Sequence, residues 1–455
     1  MQPVFKSPYY ICIAVSQTSD ALGAYDRYVF PIPSGQFPDY PKLSVWADGY
    51  YLTYNQFQRN FFMGAAACVM DRSKMLLGQA ATMQCATINP QYGSLLPADF
   101  DGTTTTLPPA GSPGYFLNYN SNLSSLDLWR LHVDWNNASN SILDGPVNIS
   151  VASFNEACGG ADCIAQAGTS QTLDSLGDRL MYRLAYRNFP SDHESLVVSH
   201  SVDPGTGNSG IRWYELRDPN GTPFVYQQGT YVPDSHYRWM SSIGMDKFGN
   251  IAMGYSVSGS DMSPTIRYTG RAPSDTPGTM RDENDLLGNI VHGSQTTYNR
   301  WGDYSSMTVD PVDDCTFWYT TEYQPTDGYL WSTRIASFRF GDCSSTATAD
   351  FSISTSPGSL TLTQGQSATS SVNVSALNGF SGTVDFVVTG CPNSPANACS
   401  ISPTSVAGSG STTLTVITDA TTSAGSYNII VKGMSGSLTH SVSVGLTVKS
   451  KRGKK

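Results

Sequence analysis

The sequence predicts an all-β protein in which a six-bladed β-propeller precedes an Ig-like β-sandwich, although five or seven blades also fit the pattern. Two observations lead to this prediction: a phrase that recurs four times between residues 39 and 323, and an abrupt change of composition after residue 343. Short runs rich in Tyr (25) and Phe (18) are interrupted by Gly (42) and Pro (26). That composition favours strands and turns over long helices.

Each copy of the phrase opens with acidic, basic and aromatic residues, continues as an apolar strand, usually turns at Asp and returns as a second strand. The four copies are Asp39-Tyr-Pro-Lys-Leu-Ser-Val-Trp-Ala-Asp48, Asp178-Arg-Leu-Met-Tyr-Arg-Leu-Ala-Tyr186, Tyr237-Arg-Trp-Met-Ser-Ser-Ile-Gly-Met-Asp246 and Trp301-Gly-Asp-Tyr-Ser-Ser-Met-Thr-Val-Asp310. One small sheet cannot bury its own faces, so repeated copies indicate blades that pack around an axis.

The blades follow one another along the chain. The first is partial, because Cys12-Ile-Ala-Val-Ser16 already reads as a second strand, and residues 1–10 lack the charged and apolar regions of a signal peptide. We therefore expect the chain to begin inside a blade. A loop over residues 99–114, rich in Thr, Pro and Gly, is expected at the surface. The later blades begin near Asp39, Tyr115, Asp178, Tyr237 and Trp301.

After residue 343, Trp disappears and Ser and Thr dominate about seven short alternating strands, a pattern typical of an Ig-like sandwich. The predicted organisation is a propeller over 1–343, a linker over 344–350, the sandwich over 351–448 and a basic tail over 449–455. Asn378-Gly-Phe-Ser-Gly-Thr-Val resembles bacterial Ig-like modules of extracellular proteins, which implies a spacer or attachment role.

Nine cysteines indicate an oxidising compartment, and their spacing favours loop-closing disulfides over zinc because no C-x-x-C pair exists. The predicted pairs are Cys68 with Cys85, Cys158 with Cys163, Cys315 with Cys343 and Cys391 with Cys399. Cys12 is left without a partner. These features predict a secreted or cell-surface protein.

The net charge of −10 makes nucleic acid an improbable partner, because binding to phosphates needs a basic surface. No apolar run approaches the ~20 residues of a membrane-spanning helix. We expect a monomer without a cofactor or a bound metal. The Asp310, Asp313 and Asp314 cluster keeps a calcium site as an alternative to a purely structural turn.

Residues 8–343 resemble secreted bacterial relatives of sialidase and BNR-repeat propellers. Arg300-Trp-Gly-Asp-Tyr-Ser-Ser-Met-Thr-Val-Asp-Pro and Asp178-Arg-Leu-Met-Tyr-Arg-Leu-Ala-Tyr-Arg carry this resemblance. It implies a propeller fold and a sialidase-like attack on glycans. Sialidases carry turns of the form Ser-x-Asp-x-Gly-x-Thr-Trp, whereas Ser201-Val-Asp-Pro-Gly-Thr here has its Trp five places late. This departure counts against sialidase activity itself.

In a propeller the innermost strand of each blade begins at the rim where the second strand ends, so residues at these two places should converge. Glycoside hydrolysis needs a proton donor and a second carboxylate, or a Tyr assisted by one, and arginines can clamp an acidic sugar. The predicted catalytic residues are Asp303, Glu322, Asp39 and Tyr304. The predicted substrate-binding residues are Arg179, Arg238, Arg300, Asp178, Tyr40, Trp239 and Tyr323. Gln56 and His200 end second strands at the same rim.

Two functions follow from this pattern. The first is an extracellular glycoside hydrolase that acts on a glycan, which the arginines would suit if it is acidic. The second is a non-catalytic adhesion propeller that binds a polysaccharide or a protein, with the rim residues paired to each other as structural ties. Propellers host both kinds of function, so the fold does not choose between them.

Overall fold

The computed structural model describes residues 1–4, 6–33, 35–103, 106–190, 192–343, 349–377 and 380–451. The chain divides into two compact units, residues 1–343 and 344–455. Most of the predicted linker, part of the basic tail, and Asn378 and Gly379 of the Ig-like motif lie outside the described residues. The all-β prediction is confirmed, since the one α-helix of the described part is α1 (Arg72–Met75). None of its helices has the length and apolar character to cross a membrane.

The first half of unit 1 contains three antiparallel meanders, each of which runs up and down in chain order. The first has β1 (Gln2–Val4), β2 (Tyr10–Ser16) and β3 (Tyr25–Pro31). The second has β4 (Gln36–Val45), β5 (Tyr50–Gln58), β6 (Phe61–Met70) and β7 (Met83–Thr87). The third has β8 (Leu96–Phe100), β9 (Gly114–Tyr119), β10 (Ser125–His132) and β11 (Ile142–Ser150).

The second half of unit 1 begins with three short strands, β12 (Asn155–Glu156), β13 (Asp162–Ile164) and β14 (Leu173–Asp174). The fourth meander has β15 (Met181–Phe189), β16 (His193–Asp203), β17 (Gly210–Arg217) and β18 (Phe224–Tyr231). The fifth has β19 (Tyr237–Met245), β20 (Ile251–Gly259), β21 (Met262–Arg271) and β22 (Asn284–Asp285). The sixth has β23 (Ser306–Val309), β24 (Phe317–Tyr323) and β25 (Ser332–Phe338). Parallel pairing of β8 with β15 joins the third and fourth meanders into one sheet.

The first strands of three meanders carry an irregularity at the same place. The register shifts between Asp39 and Lys42 in β4, between Met181 and Ala185 in β15, and between Trp239 and Ser242 in β19. Tyr40 and Met240 occupy these bulges with φ of 51° and 50°, a conformation uncommon for residues other than Gly. A bulge bends a strand and redirects its side chains. The recurrent phrase therefore places a similar bend in each of these three first strands.

A buried arginine connects the third, fourth and sixth meanders at or next to their first strands. The guanidinium of Arg183 in β15 donates to the carboxylates of Asp99 (2.7 Å) and Asp101 (2.6 and 2.8 Å). It also donates to the main-chain carbonyl of Met307 in β23, 3.2 Å away. The predicted surface loop is therefore wrong at its start, because Asp99 belongs to β8 and Asp101 is buried as a partner of Arg183.

Unit 2 consists of two sheets that share one apolar core. Its strands are β26 (Asp350–Ser356), β27 (Ser359–Thr363), β28 (Ser367–Leu377), β29 (Thr383–Thr389), β30 (Cys399–Ser402), β31 (Ser405–Ala407), β32 (Gly410–Ile417), β33 (Gly425–Ser435) and β34 (Leu438–Lys449). One sheet has the order β26-β28-β32-β30 and the other β27-β34-β33-β29-β31. Alternate residues such as Val372 and Val374 point into the core, which explains the period of two in the sequence.

The four predicted disulfides are confirmed. Cys68 is bonded to Cys85, Cys158 to Cys163, Cys315 to Cys343 and Cys391 to Cys399. Among the described cysteines, Cys12 is free, as the sequence predicts. The first bond links β6 to β7 at directly paired positions, and the second closes a short loop with four residues between the two cysteines.

Candidate functional site

The segment that leads into β23 forms one wall of an open cavity of about 710 Å³, which we call the Glu322 cavity. Residues 300–304 belong to this segment, and β24 contributes Thr320, Thr321 and Glu322. The cavity is lined by Gln295, Tyr298, Arg300, Trp301, Gly302, Asp303, Tyr304, Thr320, Thr321, Glu322, Tyr329, Trp331 and Thr333. Four predicted site residues therefore share one cavity: Arg300, Asp303, Tyr304 and Glu322.

The two acids of the Glu322 cavity have different surroundings. Burial raises the pKa of the Glu322 carboxyl, and a hydrogen bond from the main-chain N–H of Gly302 opposes that shift. Asp303 instead forms an ion pair with Arg300, whose side chain is 57% exposed against 19% for Asp303. The guanidinium stabilises the negative charge of the Asp303 carboxylate. One acid thus holds its proton more firmly and the other is paired as an anion.

Exposed aromatic rings line the cavity. Tyr298, Tyr329 and Trp331 are 57%, 55% and 64% exposed, and the rings of Tyr298 and Tyr329 meet edge to face at 6.3 Å. The sequence-based site lacked all three. The available signal was the run Tyr329-Leu-Trp331 directly after Gly328, since consecutive large apolar residues beside a turn have little core to enter.

The buried part of the cavity carries polar atoms as well as apolar ones. Trp301 is buried and donates from Nε1 to the hydroxyl of Ser256 at 3.0 Å. Thr321 is also buried and lines the cavity, and its hydroxyl is hydrogen-bonded with the phenol of Tyr319.

Next to the cavity, Tyr40 connects the bulge of β4 to the segment before β23. Its hydroxyl donates to the main-chain carbonyl of Asp303 at 3.1 Å, and its ring lies 5.3 Å from the ring of Tyr304. The guanidinium of Arg179 lies 5.1 Å from the Tyr40 ring and binds both carboxylate oxygens of Asp178 at 2.7 Å. The prediction that copies of the phrase converge thus holds for these residues.

Lys42 is a residue of this junction that sequence reasoning missed. Its ammonium is buried, lies 2.7 Å from the centroid of the Tyr40 ring and donates to the main-chain carbonyl of Tyr40 at 3.2 Å. Burial lowers its pKa well below the usual value, and the charge of Arg179 acts in the same direction while Asp39 opposes it. A hydrophilic Lys inside an apolar strand pattern was the signal.

Several predicted site residues lie elsewhere or have another role. Asp39 lines a separate cavity of about 430 Å³ with Phe37 and Arg59, although its charge still acts on Tyr304. Tyr323 is half-buried against the core of the sixth meander. Gln56 and His200 are buried and do not reach an open surface.

The substrate-clamp role predicted for Arg238 is corrected by its contacts. The side chain is buried, and its guanidinium donates twice to Asp234 and twice to Glu283, at 2.7 to 3.0 Å. A fifth bond reaches the carbonyl of His236. No donor is left for a substrate carboxylate. Trp239 is buried against Trp301, with ring centroids 6.2 Å apart, so it supports the cavity from behind.

The Asp residues at the opposite turns bind the local backbone, as expected of turn residues. Asp246 accepts from the N–H groups of Phe248 and Asn250, and Asp313 accepts from those of Cys315 and Thr316. Asp314 pairs with the buried Arg187 at 2.7 Å. A candidate metal group of Asp313, Cys315 and Cys343 occurs here, but its two sulfurs are joined in a disulfide and are not free ligands.

No protein-family profile and no curated protein sequence matches this chain. Among solved structures, domains 4 and 5 of the S-layer protein SbsC align at 15% identity over 40% of this chain and 89% of theirs, with a TM-score of 0.18. Domains 1–6 of that protein align at 14% identity over 91% and 55%, with a TM-score of 0.19. The endo-fucoidan hydrolase MfFcnA4, from glycoside hydrolase family 107, aligns at 13% identity over 56% and 42%, with a TM-score of 0.18. Scores this low establish neither a shared fold nor a shared function.

Proposed function

We propose that the protein is an extracellular glycoside hydrolase that cleaves a glycan bound in the Glu322 cavity. In this proposal the six meanders are the blades of a sialidase-like β-propeller, and unit 2 is an Ig-like sandwich that acts as a spacer. The observation that carries the proposal is the pair of unlike acids, Glu322 and Asp303, in one cavity lined by exposed aromatic rings.

Glu322 is the proton donor. Its pKa is raised by burial, so the carboxyl keeps its proton to a higher pH than an exposed Glu does and can protonate the leaving oxygen. Asp303 is the second carboxylate, either as a nucleophile or as the base that activates water, because its pairing with Arg300 favours the charged form. Hydrolysis with retention and hydrolysis with inversion both require one carboxyl that stays protonated and one that stays ionised.

Tyr304 binds substrate in this scheme and does not attack it. Burial and the charge of Asp39 raise the pKa of its phenol to about 12, so the group remains protonated at neutral pH and donates a hydrogen bond. The exposed faces of Tyr298, Tyr329 and Trp331 offer apolar surfaces for sugar rings. Arg300, with its exposed guanidinium, contributes a positive charge that suits an acidic glycan.

The surroundings of the enzyme follow from other properties. Four disulfides support secretion or exposure at the cell surface, where oxidised cysteines persist. A net charge of −10 disfavours nucleic acid as a partner. We propose a monomer that meets a polysaccharide outside the cell.

A non-catalytic glycan-binding propeller is the second candidate. The ion pair between Asp303 and Arg300 favours it, because a carboxylate already engaged by a guanidinium is less available as a nucleophile. The exposed aromatic rings serve binding equally well. The two candidates differ in whether bond cleavage accompanies binding.

Hydrolysis of a panel of polysaccharides and chromogenic glycosides tests the proposal, with Glu322→Gln beside the wild type. Glu194→Gln is a matched control, because burial also raises the pKa of Glu194 but this acid lies outside the Glu322 cavity. We expect Glu322→Gln to lose about 10²- to 10⁴-fold in rate and the control to retain full activity. Glycan binding without turnover by the wild type would favour the adhesion candidate, and equal activity of both variants would contradict the role of Glu322.

A further inference from the structure

A second cavity, of about 320 Å³, lies where the fourth and fifth meanders turn, and we call it the Arg271 cavity. Its residues come from the turns between β15 and β16 and between β19 and β20, and from the ends of β17 and β21. None of its lining residues also lines the Glu322 cavity. The sequence analysis assigned no function to these turns.

Arg271 is a buried cation without a counter-ion in direct contact. Its side chain belongs to a residue that is 2% exposed, and no carboxylate of the described chain forms an ion pair with it. The guanidinium donates from Nη2 to the main-chain carbonyl of Asp275 at 2.9 Å, while Nε has no partner. Burial lowers the pKa of Arg271, which reflects the cost of holding this charge away from water.

The neighbouring acids are already engaged by other side chains. Glu215 accepts hydrogen bonds from Arg217 (2.8 Å), Ser195 (3.0 Å) and Gln227 (2.5 Å). Asp275 binds Arg281 through two bonds of 2.7 and 3.0 Å, and Asp192 at the cavity edge lies 2.9 Å from the ring of His193. The charges of Glu215 and Asp275 still act on Arg271, but both carboxylates are in direct contact with other groups, so the guanidinium of Arg271 has no carboxylate of its own at the cavity wall.

Another part of the wall is apolar. Phe189, Phe248, Pro273 and Pro277 line the cavity, and the guanidinium of Arg217 stacks on Tyr226 with 3.4 Å between the guanidinium carbon and the ring centroid. A ligand that satisfies this surface carries one negative group and a compact carbon skeleton. A cavity of about 320 Å³ has room for a molecule of monosaccharide or amino-acid size.

We propose that the Arg271 cavity binds a small organic carboxylate, with the carboxylate in contact with the guanidinium of Arg271 and the carbon skeleton packed against Phe248 and the prolines. The proposal does not depend on glycan cleavage in the Glu322 cavity. Two sources share this chemistry: an acidic sugar and an amino-acid-like carboxylate.

Calorimetric titration of the full chain tests the proposal with sodium glucuronate and N-acetylglycine as probes. Glucose and N-acetylglycinamide are the matched neutral probes. We expect at least one acid to bind the wild type with a Kd of about 1 mM or tighter, and its neutral counterpart to bind at least about tenfold more weakly. The acid that binds identifies the source. Failure of both acids to bind, or equal binding of the neutral probes, would overturn the proposal.

Variants locate the binding. Arg271→Gln and Phe248→Ala should each weaken binding of the acid by about tenfold or more, whereas Arg339→Gln, at an exposed position outside both cavities, should leave it unchanged. Loss of binding in Arg300→Gln alone would assign the carboxylate to the Glu322 cavity and refute the proposal. If Arg271→Gln does not fold, Phe248→Ala decides, because this exposed side chain can be truncated without opening the core.

Discussion

The hydroxyl of Tyr40 donates a hydrogen bond to the main-chain carbonyl of Asp303, 263 residues further along the chain and 3.1 Å away. The bond links the bulge of the second meander to the segment that leads into the sixth. It therefore fixes the main chain that carries Asp303, one of the two acids of the Glu322 cavity.

Tyr40→Phe should lower the free energy of unfolding by about 1 kcal/mol, because it removes one hydrogen bond and keeps the ring on which Lys42 and Arg179 lie. Urea unfolding followed by fluorescence measures the change. Tyr298→Phe is the control, since that ring is exposed and should leave stability within error. A loss in the control as large as that in Tyr40→Phe would contradict the assignment.

Arg183→Leu should cost about 3 to 5 kcal/mol, because Asp99 and Asp101 would remain in a buried position without their cation. Arg281→Gln removes an exposed arginine from its pair with Asp275 and should cost under about 1 kcal/mol. Thermal and urea unfolding of both variants provide the comparison. Equal stability of the two would mean that the first strands are held together without Arg183.

The stability of unit 1 should fall in acid because of His200. Its imidazole is buried among aromatic rings, and burial lowers its pKa from 6.5 to about 3. The unfolded chain therefore binds a proton that the folded chain refuses between these values. The contribution is complete above pH 6.5 and is lost as the pH falls toward 3, up to about 5 kcal/mol in all.

His200→Phe keeps the ring packing and removes the titrating group, at a cost of about 1 kcal/mol for the bond to the Tyr214 hydroxyl. Its free energy of unfolding should change less than that of the wild type between pH 6 and pH 4. His132→Phe, at an exposed position, should keep the wild-type slope. Parallel slopes in all three proteins would exclude His200 as the cause.

Features that depend on residues close together in the sequence could be predicted, and features that depend on distant residues could not. Alternation along β34 is a property of a few neighbouring residues, and Cys158 and Cys163 are five residues apart, so strands and disulfides could be predicted. The pairing of Arg238 with Glu283 could not be predicted, since these residues are 45 positions apart, although the second partner of Arg238, Asp234, is only four positions away.

The candidate site was predicted in part for the same reason. Asp303 and Tyr304 belong to the recurrent phrase, Arg300 directly precedes it, and Glu322 follows on the next strand of the same meander. The rings of Tyr298, Tyr329 and Trp331 come from loops outside the phrase. Arg271 is unusual because it is buried and no carboxylate of the described residues forms an ion pair with it, which only the three-dimensional structure shows. The sequence alone does not show which side chains lack an ion-pair partner in the folded protein.

The pH dependence of hydrolysis should reveal Glu322 as the proton donor. A general acid works only while protonated, so kcat/KM should fall as the pH rises through the pKa of Glu322. Because burial raises that pKa, the alkaline limb should lie above the ordinary value of 4.5 for Glu. A pH series for the wild type and for Glu322→Gln measures it. An alkaline limb that persists in Glu322→Gln would assign the proton to another group.

Asp303→Asn separates catalysis from structure most directly. The Asp303 pair with Arg300 is largely exposed on the arginine side, so its loss should cost under about 1 kcal/mol, whereas loss of a catalytic carboxylate should reduce turnover by about 10²- to 10⁴-fold. Asp275→Asn is the matched control, because Asp275 forms a similarly exposed pair with Arg281 outside the Glu322 cavity. Melting temperature and hydrolysis are measured on the same samples. A preserved melting temperature with lost activity in Asp303→Asn alone supports catalysis by Asp303, whereas activity retained in both variants would reduce Asp303 to a structural partner of Arg300 and leave the adhesion candidate as the better description.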